Sequence, residues 1–316
     1  MDLANSVYTS LLIYFCIFSV SAIGGMFSEK AGIINIGING MMIIGAVSYL
    51  VFTNQIAKWF ASSSSLQTSM YWQLLGIPFA ALCAGIFAML HGFATIKLKS
   101  NHTISGFAIN LLAAGISLIL LQIFGNNSKT PKMLLEELKW TQSDGVRKWE
   151  IISFKTVLTI LIIIVSYLAL YKTKWGLRFR SVGENPQAAD VAGINFNKIK
   201  WEGVIISGVL SGLAGAFFAH AFPASFKGEV NGFGYLALAI MIMGQWNVGL
   251  ITIIALLFSI LYSFAYNASA FLNFLKPYRY LFIAIPYIVT IIVVMATAKK
   301  SHAPAASGIP YDKSIR

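Results

Sequence analysis

Charged residues are scarce in this sequence. Only 11% of its 316 residues are Asp, Glu, Lys or Arg, whereas 57% are hydrophobic. A soluble domain is usually about one quarter charged, and the mean hydropathy here is +0.74. A surface this apolar is incompatible with water, so the composition predicts an integral membrane protein whose solvent is lipid.

Motifs for catalysis and for nucleotide or metal binding are also missing. The sequence has no Gly-x-x-x-x-Gly-Lys-Ser/Thr phosphate loop, no Gly-x-Ser-x-Gly and no His-Glu-x-x-His. Its two cysteines, Cys16 and Cys83, lie in apolar runs and are interpreted as small buried hydrophobic residues. We therefore predict no catalytic residue, no metal site and no cofactor, and expect any ATP hydrolysis to occur in a partner subunit.

Long apolar runs predict an all-α, polytopic membrane helix bundle with about nine spans, in a range of eight to ten. The first run lacks a preceding basic residue and is interpreted as a retained span. The seventh run is short, and it is either re-entrant or one half of a broken pair with the eighth. The nine runs lie near residues 7–27, 36–53, 72–93, 103–124, 152–171, 203–222, 234–248, 250–268 and 280–298.

Basic residues in the loops predict the orientation. The net charge is +12, and Lys and Arg concentrate in the segment 172–200 and in the tail 299–316. The positive-inside rule places both on the cytoplasmic side and explains the charge better than nucleic-acid binding does. The N-terminus is then outside, 1–298 is the transmembrane permease domain, 125–151 is an outer loop and 299–316 is a flexible cytoplasmic tail. The stretch 130–138 in the outer loop has the pattern of a surface helix.

No Asp or Glu falls within the predicted apolar runs. Ion-coupled transporters usually bind the coupling ion with an acid inside the membrane, so the absence favours energy supplied by another subunit. A secondary transporter or facilitator is the alternative, and a membrane-embedded enzyme is a third. His91 and His220, near span ends, are interpreted as hydrogen-bonded interface residues.

The segment 183–194 predicts a short helix with both ends marked. Asn185 is a suitable N-cap, Pro186 suits the first helical position, and Gly193 can end a helix in the left-handed conformation. A helix of about two turns is not stable alone in water and must pack on something. It is either a surface loop helix or a docking element for a cytoplasmic partner.

Polar residues inside the apolar runs are the candidates for a substrate pathway. They are Asn35, Asn39 and Asn110. The glycines around the first two can interrupt a membrane helix, and such breaks often mark a transport path. Helix–helix hydrogen bonding is the alternative, and it is favoured for Asn110. The small residues at 207–215 predict close helix packing.

Taken together, these stretches resemble the permease family of branched-chain amino acid, ribose and nucleoside ABC importers, most closely its nucleoside or simple-sugar branch. The matching stretches, in order, are 27–37, 41–46, 95–101, 105–112, 176–194, 232–239 and 246–247. The resemblance implies that the short helix is a coupling helix seated in an ATPase groove. The residues it implies for that contact are Glu184, Asn185, Pro186, Gln187, Asp190 and Gly193.

The same resemblance implies a complex of two permease subunits, two ATPase domains and an extracellular solute-binding protein in the cell membrane. The second permease is either another copy or, as we expect, a homologous partner. The sequence departs from the family pattern at three positions. Asn39 stands where a Glu is expected, and Gln245 and Val248 stand where a basic residue and a proline are common.

Overall fold

The protein is a bundle of long helices in the computed structural model, which describes residues 3–60, 69–124, 138–143, 148–271, 279–297 and 302–309. In chain order the helices are α1 (Leu3–Lys30), α2 (Ile38–Trp59), α3 (Gln73–Gly92), α4 (His102–Phe124), α5 (Phe154–Lys172), α6 (Lys174–Glu184), α7 (Pro186–Val191), α8 (Phe196–Ala221), α9 (Phe233–Met243), α10 (Val248–Phe271) and α11 (Arg279–Thr297). Short 3₁₀ turns cover Met70–Trp72 and Pro223–Ser225, and a π-helical turn covers Phe93–Lys97.

Seven helical segments within the described residues are long and apolar enough to cross a membrane. Two shorter apolar segments, Phe233–Met243 and Ala284–Met295, accompany them. The prediction of a polytopic helical bundle is confirmed. A small antiparallel hairpin, β1 (Lys139–Ser143) with β2 (Lys148–Ser153), adds two short strands to the helical bundle in the segment predicted to be an outer loop. Of the surface helix expected at 130–138, only Leu138 is among the described residues.

Helix α8 lies at the centre of the bundle, packed against α1, α2 and α3. Glycines permit this packing, because a Cβ at Gly45 of α2 would lie 2.1 Å from the carbonyl oxygen of Gly212. A Cβ at Gly215 would lie 2.0 Å from the carbonyl oxygen of Met42, and one at Gly208 would lie 2.3 Å from the Cβ of Ala88. The small residues at 207–215 therefore serve helix packing, as the sequence predicted.

Helix α9 runs along only half of α1. The ring of Phe233, its first residue, lies 5.2 Å from the ring of Phe18, near the middle of α1. Just beyond its other end, Trp246 donates a hydrogen bond to Glu29, next to the last residue of α1. Eleven residues of α-helix span about 16 Å, roughly half of the hydrocarbon core. Helix α9 therefore begins near the middle of the bundle and ends at the end that carries α6 and α7, here called the α7 end.

Two acids lie near the ends of helices that could span the membrane, outside the apolar runs predicted from the sequence. Glu29 is in α1 and Glu202 is in α8. Both helices continue past their apolar runs, because a helix satisfies its own backbone hydrogen bonds at the membrane edge. Each carboxylate accepts a hydrogen bond from an indole N–H, Glu29 from Trp246 at 2.7 Å and Glu202 from Trp175 at 2.9 Å.

Part of the tail that the sequence predicts to be flexible is described by the structure, and it contacts the bundle. Residues 302–309 pack on the α7 end of the bundle with Pro304 and Ala306 buried. Their backbone N–H groups bond to three separate parts of the bundle. The rest of the predicted tail, 299–301 and 310–316, lies outside the described residues.

Candidate functional site

The short helix α7 has the two caps that its sequence predicted. The Oδ1 of Asn185 accepts a hydrogen bond of 3.0 Å from the backbone N–H of Ala188, and Pro186 is the first helical residue. At the other end Gly193 has φ +78°, and the N–H of Ile194 bonds the carbonyl of Ala189 at 2.9 Å. This 6→1 bond is the Schellman arrangement. The caps fix a helix that is too short to persist by itself.

Helix α7 has an exposed surface, and it is anchored to the rest of the bundle. Ala189 is its buried anchor, whereas Val191 is 79% exposed, although it is apolar. The preceding helix α6 is anchored by the ring of Phe179, 5.9 Å from Phe27 of α1. A Cβ at Gly183 would lie 2.2 Å from the carbonyl oxygen of Lys30, so α6 approaches the end of α1 at backbone distance. Helices α6 and α1 are therefore closely packed just before α7 begins.

Most of the predicted coupling residues lie on that surface. Glu184, Asn185, Gln187 and Gly193 are exposed, and Pro186 and Asp190 are half-buried. A cavity of about 320 Å³ adjoins the end of α7, between α6 and the start of α8. Its wall includes Trp175, Arg178, Lys198 and Glu202. A partner that covered α7 would find both an exposed apolar residue and a recess with charged walls.

The turn between α1 and α2 is held by two histidines. The N–H of Ile34 donates to Nδ1 of His102 at 3.2 Å, and its carbonyl accepts from Nε2 of His91 at 3.1 Å. Nδ1 of His91 is then left to accept from the hydroxyl of Ser105, 2.9 Å away. His220 also has a partner, the hydroxyl of Tyr49 at 2.7 Å. Both predicted histidines are hydrogen-bonded, as expected.

The three predicted pathway asparagines lie around the start of α2. Asn110 of α4 accepts from the N–H of Gly40 at 2.7 Å and donates to the carbonyl of Ile36 at 3.1 Å. Asn39 accepts from the N–H of Gly234, in the first turn of α9, at 3.2 Å. Neither α2 nor α9 has a side-chain cap of its own. Each helix start is therefore capped by an asparagine from a neighbouring helix, which satisfies backbone N–H groups that lipid cannot.

Asn35 completes this group, called here the asparagine junction (Asn35, Asn39 and Asn110). Its Nδ2 donates to the hydroxyl of Ser207 on α8 at 2.9 Å. Its Oδ1 has no hydrogen-bond partner among the described residues, although the residue is fully buried. An unpaired buried acceptor is costly, so this oxygen marks a position where a water or a solute hydroxyl would be stabilised.

The chain that leads to α9 was not predicted as part of the site. The segment 222–232 is called here the descending segment, and within it residues 225–231 alternate between exposed and buried. Phe226, Gly228 and Val230 are buried, while Lys227, Glu229 and Asn231 are exposed. Gly228 lies beside Leu118 of α4, eight residues along that helix from Asn110. Since eight helical residues rise about 12 Å, the segment descends through much of one half of the bundle with one 3₁₀ turn and no α-helix.

Non-helical backbone with exposed charges is tolerated at such depth only where it lines water or is covered by protein. Three residues after the descending segment, in α9, the hydroxyl of Tyr235 accepts a hydrogen bond from Asn110 at 3.1 Å. Tyr235 thus connects the end of this segment to the asparagine junction. The signal available in the sequence was the interruption of apolar residues by Lys227 and Glu229, which flank Gly228 and are followed by Gly232.

Comparison with known proteins identifies the family. The family model described as branched-chain amino acid transport system / permease component matches residues 7–294. The nucleoside ABC transporter permease protein NupC of Lactococcus lactis is 36% identical, over 99% of this chain and 100% of that protein. The guanosine ABC transporter permease protein NupQ of Bacillus subtilis is 32% identical, over 100% of this chain and 99% of that protein.

A more distant relative is a second permease from the same Lactococcus lactis strain. The nucleoside ABC transporter permease protein NupB is 21% identical over 77% of this chain and 67% of that protein. No solved structure matches the chain at a significant level. With its helical membrane bundle and a family match over nearly its whole length, the chain belongs to the family of branched-chain amino acid transport system permease components, and it is a multi-pass protein of the cell membrane.

Proposed function

We propose that this chain is a permease subunit of an ATP-binding-cassette importer that moves nucleosides into the cell by alternating access. The observation that carries the proposal is the asparagine junction, where the half-length helix α9 meets α2 and α4. The full-length similarity to NupC and NupQ supports the nucleoside as the solute. An importer of simple sugars is the nearest alternative within the same family.

The chemistry of the asparagine junction and of Tyr235 suits a neutral solute rich in hydroxyl groups. Asn35, Asn110 and Tyr235 offer amide and phenol groups with no formal charge. Such groups can donate to and accept from ribose hydroxyls or a nucleobase without the cost of a buried ion. The exposed aromatic face of Tyr235 also suits stacking on a base, which would favour a nucleoside over a sugar.

The chain crosses the membrane nine times if the descending segment and α9 together form the seventh crossing. The N-terminus is then outside, and both α7 and the tail are cytoplasmic. The basic residues of 172–200 support this orientation. In this arrangement the descending segment lines an outward-facing vestibule, and the turns at 31–37 and 244–247 surround the cytoplasmic mouth. Alternating access would open these two ends in turn.

The energy of ATP hydrolysis would be transmitted to the permease through α7. The chain has no phosphate loop of its own, so a cytoplasmic ATPase subunit would bind the exposed face of α7. The presence of both NupB and NupC in one organism supports a homologous second permease as the partner across the vestibule. An extracellular solute-binding protein would deliver the nucleoside. The permease itself would then not need a high-affinity binding site.

Reconstitution tests the function directly. The chain would be purified in mild detergent with its co-expressed permease, ATPase and binding protein and inserted into liposomes. ATP-dependent accumulation of radiolabelled guanosine, competed by other nucleosides and not by glucose or ribose, is the expected result. Competition by sugars alone would replace nucleosides with sugars as the solute. Accumulation without ATP by the chain alone would show a facilitator and refute the importer.

A paired substitution tests the role of α7. Asp190→Arg combined with Pro186→Gly alters its charge and its first turn, and both changes lie outside the asparagine junction. Guanosine transport and transport-stimulated ATP hydrolysis are expected to fall together while the permease still inserts. Lys198→Ala, on the cavity wall just beyond α7, would show whether the recess contributes. Unchanged coupling in the paired variant would rule out α7 as the docking element.

A further inference from the structure

The docked tail bonds to three parts of the cytoplasmic end that come from distant points in the sequence. The backbone N–H of Ala306 donates to the carbonyl of Gly183 at 2.9 Å, just before α7. The N–H of Gly308 donates to the carbonyl of Gly32 at 3.1 Å, in the turn between α1 and α2. The N–H of His302 donates to Oε1 of Gln245 at 2.8 Å, in the turn between α9 and α10.

Residues 302–309 have a defined backbone conformation and fit closely against the bundle. Two turns stiffen it, because Ser307 N–H bonds Pro304 and Ile309 N–H bonds Ala306. Gly308 has φ +79°, and a Cβ there would lie 2.6 Å from Cδ1 of Ile34. Only glycine fits that position without movement of its neighbours.

The turn between α9 and α10, which accepts a hydrogen bond from the tail, also has an unusual conformation. Gln245 has φ +50° and Trp246 φ +52°, an uncommon conformation for residues other than glycine. The side chain of Gln245 uses both ends, since its Nε2 donates to the carbonyl of Ile242 at 3.2 Å while its Oε1 accepts from the tail. A basic side chain, which the family resemblance leads one to expect at this position, could not accept the N–H of His302.

Glu184 adds a fourth link. Its Oε2 accepts from the N–H of Ala305 at 3.4 Å, immediately before the N-cap of α7. Glu184 is exposed, so this contact lies on the face that a cytoplasmic partner would approach.

We propose that residues 302–309 act as a transmission strap, which carries movement of α7 to the two turns around the cytoplasmic mouth of the pathway. The inference rests on the proposed function, because it assigns to the strap a positioning role in the transport cycle. A rigid link at Gly183 moves the turn at Gly32 and the turn at Gln245 in concert, since all three are bonded to one short segment. The strap contacts no solute and supplies no binding energy to it.

Truncation tests the strap in the reconstituted complex. One variant ends after Ser301 and loses the strap, and the matched control ends after Pro310 and keeps it. Guanosine moved per ATP hydrolysed is expected to fall about fivefold or more without the strap, the shift that the loss of one ordinary hydrogen bond produces. The control is expected to match the full chain, and recovery of the ATPase subunit in a pull-down is expected to be unchanged in both.

A point variant guards against an indirect effect of shortening the chain. Ala306→Pro removes the N–H that bonds Gly183, whereas Ile309→Ser changes an exposed side chain. Uncoupling by Ala306→Pro with normal behaviour of Ile309→Ser would support the strap. Normal stoichiometry in the truncation and in Ala306→Pro would overturn it, and so would loss of the ATPase subunit, because the tail would then be a docking element.

Hydrogen exchange separates the strap from the proposed function. In detergent-solubilised chain without ATPase, removal of the strap is expected to speed amide exchange at both 183–191 and 244–247 relative to the Pro310 truncation. Faster exchange at only one of these segments, or at neither, would refute a mechanical link even if transport were normal. Failure of the full-length complex to transport any nucleoside, with this exchange result intact, would reject the importer and retain the strap as a structural connection.

Discussion

Substitution of Asn110 by alanine should both destabilise the bundle and impair transport. The side chain makes three hydrogen bonds, to the N–H of Gly40, the carbonyl of Ile36 and the hydroxyl of Tyr235. Gly40 is the third residue of α2, so its N–H has no partner within that helix. Alanine would leave this donor and the Ile36 carbonyl without a side-chain partner.

The magnitude follows from the number and kind of bonds. A hydrogen bond between membrane helices contributes about 0.6–2 kcal/mol net, and an unsatisfied buried donor costs about 1–3 kcal/mol. Loss of the cap on Gly40 dominates, since that bond is the shortest of the three at 2.7 Å. We expect Asn110→Ala to lower the free energy of unfolding by about 2–4 kcal/mol. Tyr235→Phe removes one bond and leaves Asn110 bonded to α2, so its cost should be about 0.5–1 kcal/mol.

Unfolding in mixed micelles, followed by circular dichroism, would measure both variants and their combination. Because the two side chains share a bond, the double variant should cost less than the sum of the single variants. Guanosine transport should fall more in Tyr235→Phe than its small stability cost explains, if Tyr235 also faces the solute. A cost below about 0.5 kcal/mol for Asn110→Ala would refute the capping role, since that is the size of an ordinary surface change.

Three further predictions use matched variants. Asn185→Ala removes the N-cap of α7 and should cost about 1 kcal/mol in local stability, measured by hydrogen exchange of 186–192, while Asn197→Ala on the exposed face of α8 should leave that exchange unchanged. Gly45→Leu should prevent assembly of a monodisperse bundle in detergent chromatography, because its Cβ would meet the backbone of α8, whereas Gly115→Leu, with nothing within 4 Å of its Cβ, should elute normally. Trp246→Phe keeps an aromatic ring but removes the N–H donated to buried Glu29, and should lower the free energy of unfolding by about 1–3 kcal/mol; an unchanged midpoint in thermal unfolding would contradict that partnership.

The short helix α7 was predictable because its determinants are local. Asn185, Pro186 and Gly193 define its start and end through backbone preferences that need no tertiary partner. The long helices were predictable for a similar reason, since apolar length alone reports them. The caps of α2 and α9 were not predictable, because Asn110 and Asn39 are distant in sequence from the groups they bond.

Glu29, Glu202 and the tail also show which features the sequence predicts and which depend on tertiary contacts. Glu29 and Glu202 fell outside the apolar runs, and only the helix bounds place them within spans. The tail is polar and contains prolines, which is typical of a flexible terminus, yet its N–H groups find carbonyl and amide oxygens from three distant segments. Sequence patterns indicate which local conformation a residue prefers. They do not indicate which hydrogen-bond acceptor the fold places beside its backbone N–H.

The sequence by itself determined that the chain resides in a membrane, that it lacks its own phosphate loop, and that a capped helix follows α6. These properties depend on composition and on spacing within a few residues. The tertiary structure alone decided that α9 starts at mid-depth, that the descending segment exposes polar groups there, and that the tail joins α7 to the turns at Gly32 and Gln245. Those features depend on contacts between residues far apart in the chain, where the requirement to satisfy every buried backbone group selects one arrangement.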